Sequence, residues 1–181
     1  MKRVQLFYRD ISEIIGSGGC SVARLVDSDE QRAISIICDK VMTEQMAIRY
    51  NRQPAREQML PEVLLSMLQA EGKGRLELLI TDILDGQYFV TLIDTLNYVV
   101  RRIRMSDALL LHYIAQVPIY IEDGLMDRQS SPYHSNTQGI SIPINALDTV
   151  RLNKELQRAI TEEDYRLASL LHQEIQRRNK T

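Results

Sequence analysis

The chain has 181 residues, enough for one core domain and a small appendage, and its 44% hydrophobic and 25% charged content is that of a globular protein rather than a disordered or membrane-spanning one. A formal net charge of −2 argues against a protein whose main task is gripping duplex DNA, because that task needs a surplus of Lys and Arg; a local basic patch stays open. Cys20 and Cys38 are too few for a disulfide framework or a cysteine-based zinc site, and Met1-Lys2-Arg3-Val4 runs into strand-like residues without a signal-peptide core, so the expected compartment is the cytoplasm.

Val4 to Ile15 begins β-prone, and Gly16-Ser17-Gly18-Gly19 turns it into a second strand over Cys20–Val26. The glycines mimic a phosphate loop, but no Gly-Lys-Ser/Thr follows and no helix opens behind them, so a hairpin turn is expected. Asp27-Ser28-Asp29-Glu30 makes the next turn, and Arg32–Cys38 a third strand with Ile34, Ile36 and Ile37 inward, completing a meander. From Val41 to Tyr50 the pattern is helical, and after Pro54 a second helix carries Met59, Val63, Leu64, Met67 and Leu68 and ends at Glu71-Gly72. Leu76–Leu84 and Gln87–Asp94 flank Asp85-Gly86, the strongest two-residue hairpin signal in the chain, and Tyr98–Arg104 adds a strand.

Next comes an apolar helix. Ser106 stands where it would cap it, Asp107 puts negative charge at the positive end of its dipole, and Ala108, Leu111 and Ala115, with Leu109 and Leu110, make its buried face. Pro118 ends it before the strand Ile119-Tyr120-Ile121. The order β-β-β-α-α-β-β-β-α-β predicts an α+β fold, a mixed or antiparallel sheet with packed helices. Arg128 to Gln138 is polar and reads as linker. Beyond it, Leu152, Leu156, Ala159 and Ile160 form one helical stripe, and Ala168, Leu171 and Ile175, with Tyr165 and Leu167, another, joined by Thr161-Glu162-Glu163-Asp164. The expected division is a domain over 1–126, a linker over 127–145 and an antiparallel helical hairpin over 146–181.

The residues best suited to an active site are Arg104, Ser106 and Asp107. Arg104 could hold two phosphate oxygens, Asp107 could bind a metal or position a water, and a helix N-terminus favours anions. Capping alone would also select Ser-Asp there. Arg102 and Arg104 alternate onto one strand face, which makes them, with Ser106, the candidates for weak, salt-sensitive binding of DNA or RNA. His112, His134 and His172 lie on three different elements without metal-ligand spacing.

Arg104-Met105-Ser106-Asp107, followed by the apolar helix and Pro118-Ile119-Tyr120, resembles the signature of the bifunctional nuclease family, and the resemblance covers approximately Val4 to Glu122. It implies metal-dependent cleavage of DNA or RNA phosphodiesters with Mg²⁺ or Mn²⁺. Arg104 would stabilise phosphate charge, while Asp107, with Glu62, would hold the metal or a water. The chain departs from the family pattern at three places: Met42 stands at a usual Glu position, the motif near Gln58–Val63 keeps only Glu62 and lacks its His, and Arg101-Arg102-Ile103 puts a cation where a carboxylate is usual. The segment from Leu152 through Glu163-Asp164-Tyr165 to Ile175 resembles the UVR motif, an antiparallel helix pair. It implies docking through Leu156, Tyr165, Leu171 and His172, either with a second copy in a homodimer or with another protein. A non-catalytic adaptor acting through oligomerisation and this hairpin is therefore the alternative to a nuclease.

Overall fold

In the computed structural model, residues 2–14, 18–69, 76–133 and 144–179 are described. Strands β1 (Arg3–Glu13), β2 (Ser21–Asp27) and β3 (Arg32–Cys38) form the expected antiparallel meander, and Ile14 N–H donates to the Cys20 carbonyl across the glycine-rich turn. Ile15 to Ser17 of that turn, the Glu71-Gly72 helix end and His134 lie outside the described residues. Helix α1 (Lys40–Tyr50) starts at Asp39, whose carboxylate accepts the Met42 N–H. A 3-10 turn at Pro54–Gln58 leads into α2 (Leu60–Gln69), with Pro61 in the first turn, where a missing N–H breaks no intrahelical bond.

Strands β4 (Leu76–Leu84) and β5 (Gln87–Asp94) are joined by Asp85 and Gly86 at φ 49° and 74°, the pair of positive angles that a two-residue hairpin turn demands. Then follow β6 (Val99–Ile103), α3 (Met105–Ala115) and β7 (Ile119–Glu122). Strand β7 inserts between β1 and β4, so the eight-stranded sheet runs β6-β5-β4-β7-β1-β2-β3-β8, where β8 is Ser131–Pro132. Among the described strands only the β4–β7 pairing is parallel, which makes the fold α+β with a mixed sheet.

Helix α3 carries the chain back from the edge strand β6 to the centre of the sheet. Ala108 and Leu109 are fully buried, with Leu110 and His112 beside them, and they pack with Leu78, Ile80, Ile119 and Ile121. Leu111, expected to lead the buried face, is only partly buried. The buried face, centred on Met105, Ala108, Leu109 and His112, is rotated by roughly a quarter of a turn from the Ala108–Leu111–Ala115 line. Leu109→Ala should lower stability by roughly 2–5 kcal/mol in chemical denaturation; a loss no larger than that of Leu111→Ala would contradict this packing.

His112 belongs to this core. Its Nε2 accepts the Tyr8 N–H at 3.2 Å and its Nδ1 faces the Val117 carbonyl at 2.8 Å, so the neutral ring with the proton on Nδ1 satisfies both partners. Burial pushes its pKa below the ordinary histidine value, while the bond to Val117 pulls the other way. Because the unfolded chain takes up the proton first, His112 leaves stability intact above about pH 6.5 and erodes it as pH falls. Denaturation midpoints of the wild type should therefore drop more steeply than those of His112→Gln between about pH 7.5 and about pH 5; parallel slopes would remove His112 as the cause.

The polar stretch expected to open the linker is structured as far as Tyr133. Helix α4 (Asp123–Gln129) buries Leu125 and Met126, β8 pairs with the edge of β3, and Tyr133 packs on Val26 and Ala33. The reason is amphipathicity too short to read as periodic: one turn of apolar residues amid Asp, Arg and Gln. A second 3-10 turn (Ile144–Ala146) leads into α5 (Thr149–Thr161) and α6 (Tyr165–Asn179). No helix among the described residues is long and apolar enough to cross a membrane.

Candidate functional site

The chain leaves β6 at Ile103 and enters α3 through Arg104, which takes the N-cap position with extended backbone and no side-chain capping bond. Ser106 is thus the second residue inside the helix and does not cap it, contrary to the sequence expectation. The carboxylate that could have capped is engaged: Asp107 accepts Arg104 Nε at 2.8 Å and Nη2 at 3.1 Å. The forked ion pair spans this first turn, and among the described residues no side chain caps the start of α3. That pair raises the pKa of Arg104 further, with the charge of Asp39 adding in the same sense.

This helix start opens onto a cleft of about 380 Å³. Arg104, Met105, Ser106 and Leu109 line it from α3, and Cys38, Asp39 and Met42 from the β3–α1 junction. Asp85 to Tyr88 contribute from the β4–β5 hairpin, and Ala146, Asp148 and Arg151 from the C-terminal segment. Two further helix starts therefore face the cleft, those of α1 and α5, but both are capped. Asp39 accepts the Met42 N–H and Asp148 the Arg151 N–H, each at 2.7 Å. Of these three helix starts, that of α3 is the one without a side-chain cap among the described residues.

The C-terminal segment reaches the cleft by docking on the β4–β5 turn. Asp85 accepts the Thr149 hydroxyl at 2.6 Å, the Thr149 N–H at 3.1 Å and Arg178 Nη1 at 2.6 Å. The Thr149 hydroxyl bond, with the charge of Arg178 behind it, holds the Asp85 carboxyl below the usual carboxylate range. Arg151 Nη2 lies 3.1 Å from Cys20 Sγ, tying α5 to the start of β2. Nothing in the sequence announces Arg151, because only this docking brings it beside the helix start of α3. Tyr88 is another such residue: it is 7% exposed, and its hydroxyl is buried without a hydrogen-bond partner among the described residues.

Residues 24–134 match the model of the bifunctional nuclease domain. The chain belongs to that family. No curated protein matches it significantly.

Within this nuclease-family domain the candidate residues separate. Arg104 and Ser106 line the cleft; Asp107 does not line it, but holds Arg104. Arg102 does not line it: β6 ends before Arg104, so the two arginines do not share a strand face, and the Arg102 guanidinium lies 5.6 Å from the centre of the Phe89 ring. Glu62 is also elsewhere. It sits on α2, paired with Arg49 of α1 at 2.7 Å (Nε to Oε1) and 2.8 Å (Nη2 to Oε2), and the Arg49 side chain is only 2% exposed. Glu62 and Asp107 thus neutralise separate arginines and do not converge on a metal ion. Among the described residues no group of three or more His, Cys, Asp or Glu side chains is arranged to hold one, so these residues do not fit the Mg²⁺ or Mn²⁺ that the resemblance implies.

The hairpin residues separate as well. Leu171 is buried against Leu152, Ala159 and Ala168, and Leu156 and Ile175 pack on the same cluster with Ile144 and Leu147. Leu156 and Leu171 therefore build the hairpin's own core instead of a docking stripe, because the two apolar stripes face each other. Tyr165 and His172 are exposed.

Proposed function

We propose that the chain is a nuclease that engages DNA or RNA phosphodiesters in the cleft before α3. The observation that carries this reading is the uncapped start of α3 beside Arg104 in a nuclease-family domain. Its first N–H groups are the positive end of the dipole and need acceptors, which a phosphate supplies. The planar fork of Arg104 suits two phosphate oxygens, and the Ser106 hydroxyl on the same turn offers another donor. Asp107 in this reading is a positioning residue that holds the guanidinium until phosphate competes for it.

The test is cleavage of linear and circular single strands and of duplexes, in Mg²⁺, in Mn²⁺ and in EDTA. Arg104→Ala should slow cleavage about 100-fold, the usual loss when one donor to a developing oxyanion is removed. Asp107→Asn removes the competing carboxylate along with the orientation, so KM should fall together with kcat. Cleavage unaffected by Arg104→Ala would place the chemistry elsewhere.

A second reading, a non-catalytic adaptor, is favoured by a different observation. Leu60, Val63, Leu64 and Met67 follow i, i+3, i+4, i+7 spacing along α2 and are all exposed, an apolar stripe suited to a second copy of the chain in a homodimer. Tyr165, Leu167 and Leu170 are exposed on α6 and would receive a protein partner in the manner of a UVR hairpin. Absence of cleavage, together with a dimeric mass in light scattering that Leu64→Asp makes monomeric, would decide for this reading.

A further inference from the structure

We propose that the cleft seats a single nucleoside monophosphate, free or as the phosphorylated end of a strand, and that the C-terminal hairpin supplies part of that seat. This rests on the phosphodiester reading above and narrows it to one nucleotide at a time.

Size is the first argument. A volume of about 380 Å³ lies near the lower end of the range for small-molecule pockets, room for one nucleotide. Charge is the second. Arg104 and Arg151 bring two guanidiniums to the lining, whereas Asp39, Asp85 and Asp148 bring three carboxylates. Asp39 and Asp148 are fixed by their capping bonds and Asp85 by Thr149 and Arg178, so none can turn away. A strand threading the cleft would bring successive phosphates against these carboxylates within a Debye length of about 8–10 Å. A single phosphate at the start of α3 meets Arg104 and the open N–H groups there.

Tyr88 supplies the independent sign of a ligand. It lines the cleft, it is only 7% exposed, and its hydroxyl has no partner among the described residues. A buried hydroxyl in that state is costly until something completes it, and a phosphate oxygen or a sugar hydroxyl would. Met42, Met105 and Leu109 give the same cleft an apolar side, where polarizable sulfurs suit the face of a base. Arg151 reaches this space only because α5 docks on the Asp85-Gly86 turn, so the hairpin is part of the seat.

Calorimetric titration of the full chain tests this with adenosine monophosphate, inorganic phosphate and oligothymidylate bearing a 5′-phosphate, a 3′-phosphate or neither. The monophosphate or one phosphorylated end should bind at least about tenfold tighter than the unphosphorylated strand and tighter than inorganic phosphate, as a charge-assisted contact predicts. Binding of the mononucleotide alone would assign a free nucleotide; binding of an oligonucleotide bearing a terminal phosphate would assign a strand end. Tyr88→Phe, which removes a hydroxyl the folded chain does not use, should weaken binding by roughly three- to tenfold, and Arg151→Ala by about tenfold or more. Equal affinity for phosphorylated and unphosphorylated strands, or a Tyr88→Phe variant that binds as tightly as wild type, would overturn the proposal. Efficient cleavage of circular single strands would sink it while sparing the nuclease reading. Tight monophosphate binding with no cleavage of any substrate would do the reverse.

Discussion

Glu62→Ala should lower stability by about 3–5 kcal/mol, the usual loss when one member of a buried ion pair is removed. The Arg49 side chain is 2% exposed and Glu62's is 14%, so the guanidinium left behind cannot recover water. Its remaining bonds, from Nη1 to the Gln45 carbonyl at 2.8 Å and to Gln45 Oε1 at 3.0 Å, carry no compensating charge. Replacing both partners, Arg49→Met with Glu62→Leu, should restore most of the loss, because apolar groups of similar volume substitute well for a buried pair. Denaturant melts of the three variants check this. A Glu62→Ala variant that melts like wild type but loses cleavage would return Glu62 to the catalytic role its sequence position suggests.

Gly86→Ala should loosen the C-terminal hairpin from the domain. Gly86 holds φ 74°, a conformation costing other residues about 1–3 kcal/mol, and an added Cβ would stand 2.7 Å from the Ala146 carbonyl oxygen and 2.8 Å from the Asp148 nitrogen and the Leu147 carbonyl carbon. Those contacts are backbone, so no rotamer change relieves them and the 146–148 segment must move. Hydrogen exchange should then show lost protection in α5 and α6 while the amides around Leu109 in α3 stay slow. Because Arg151 travels with α5, binding at the cleft should weaken in the same variant. Unchanged exchange across α5 and α6 would mean the docking seen at Asp85 and Thr149 contributes little.

Much of the fold was legible where local chemistry decides the conformation. Asp85-Gly86 demanded a two-residue hairpin and made one, and the apolar run after Asp107 made a helix ended before Pro118. The bounds of β3, β4 and β5 followed from β-branched runs between turn residues. The hidden parts depend on tertiary context. Gln129 looks like linker polarity yet is 2% exposed, because α4 packs its short apolar turn against the central strands β7 and β1. Ser106 has the composition of a cap, but Arg104 takes that position and claims Asp107. Tyr88 and Arg151 are far apart in sequence from Arg104 and meet it only through strand pairing and the docking of α5. Glu62 looked available because its partner Arg49 lies on another helix, and burial of a pair leaves no periodic trace. Of the three departures from the family pattern, Met42 lines this cleft, whereas the Gln58–Val63 segment and Arg101-Arg102-Ile103 do not.

The most direct test of the account is amide chemical-shift mapping of the full chain during titration with adenosine monophosphate. Saturable shifts should centre on the N–H groups of Met105, Ser106 and Asp107, extend to Tyr88 and Arg151, and be abolished by Arg104→Ala. Shifts centred on Arg101 and Arg102 of β6, with the α3 amides unmoved, would contradict it.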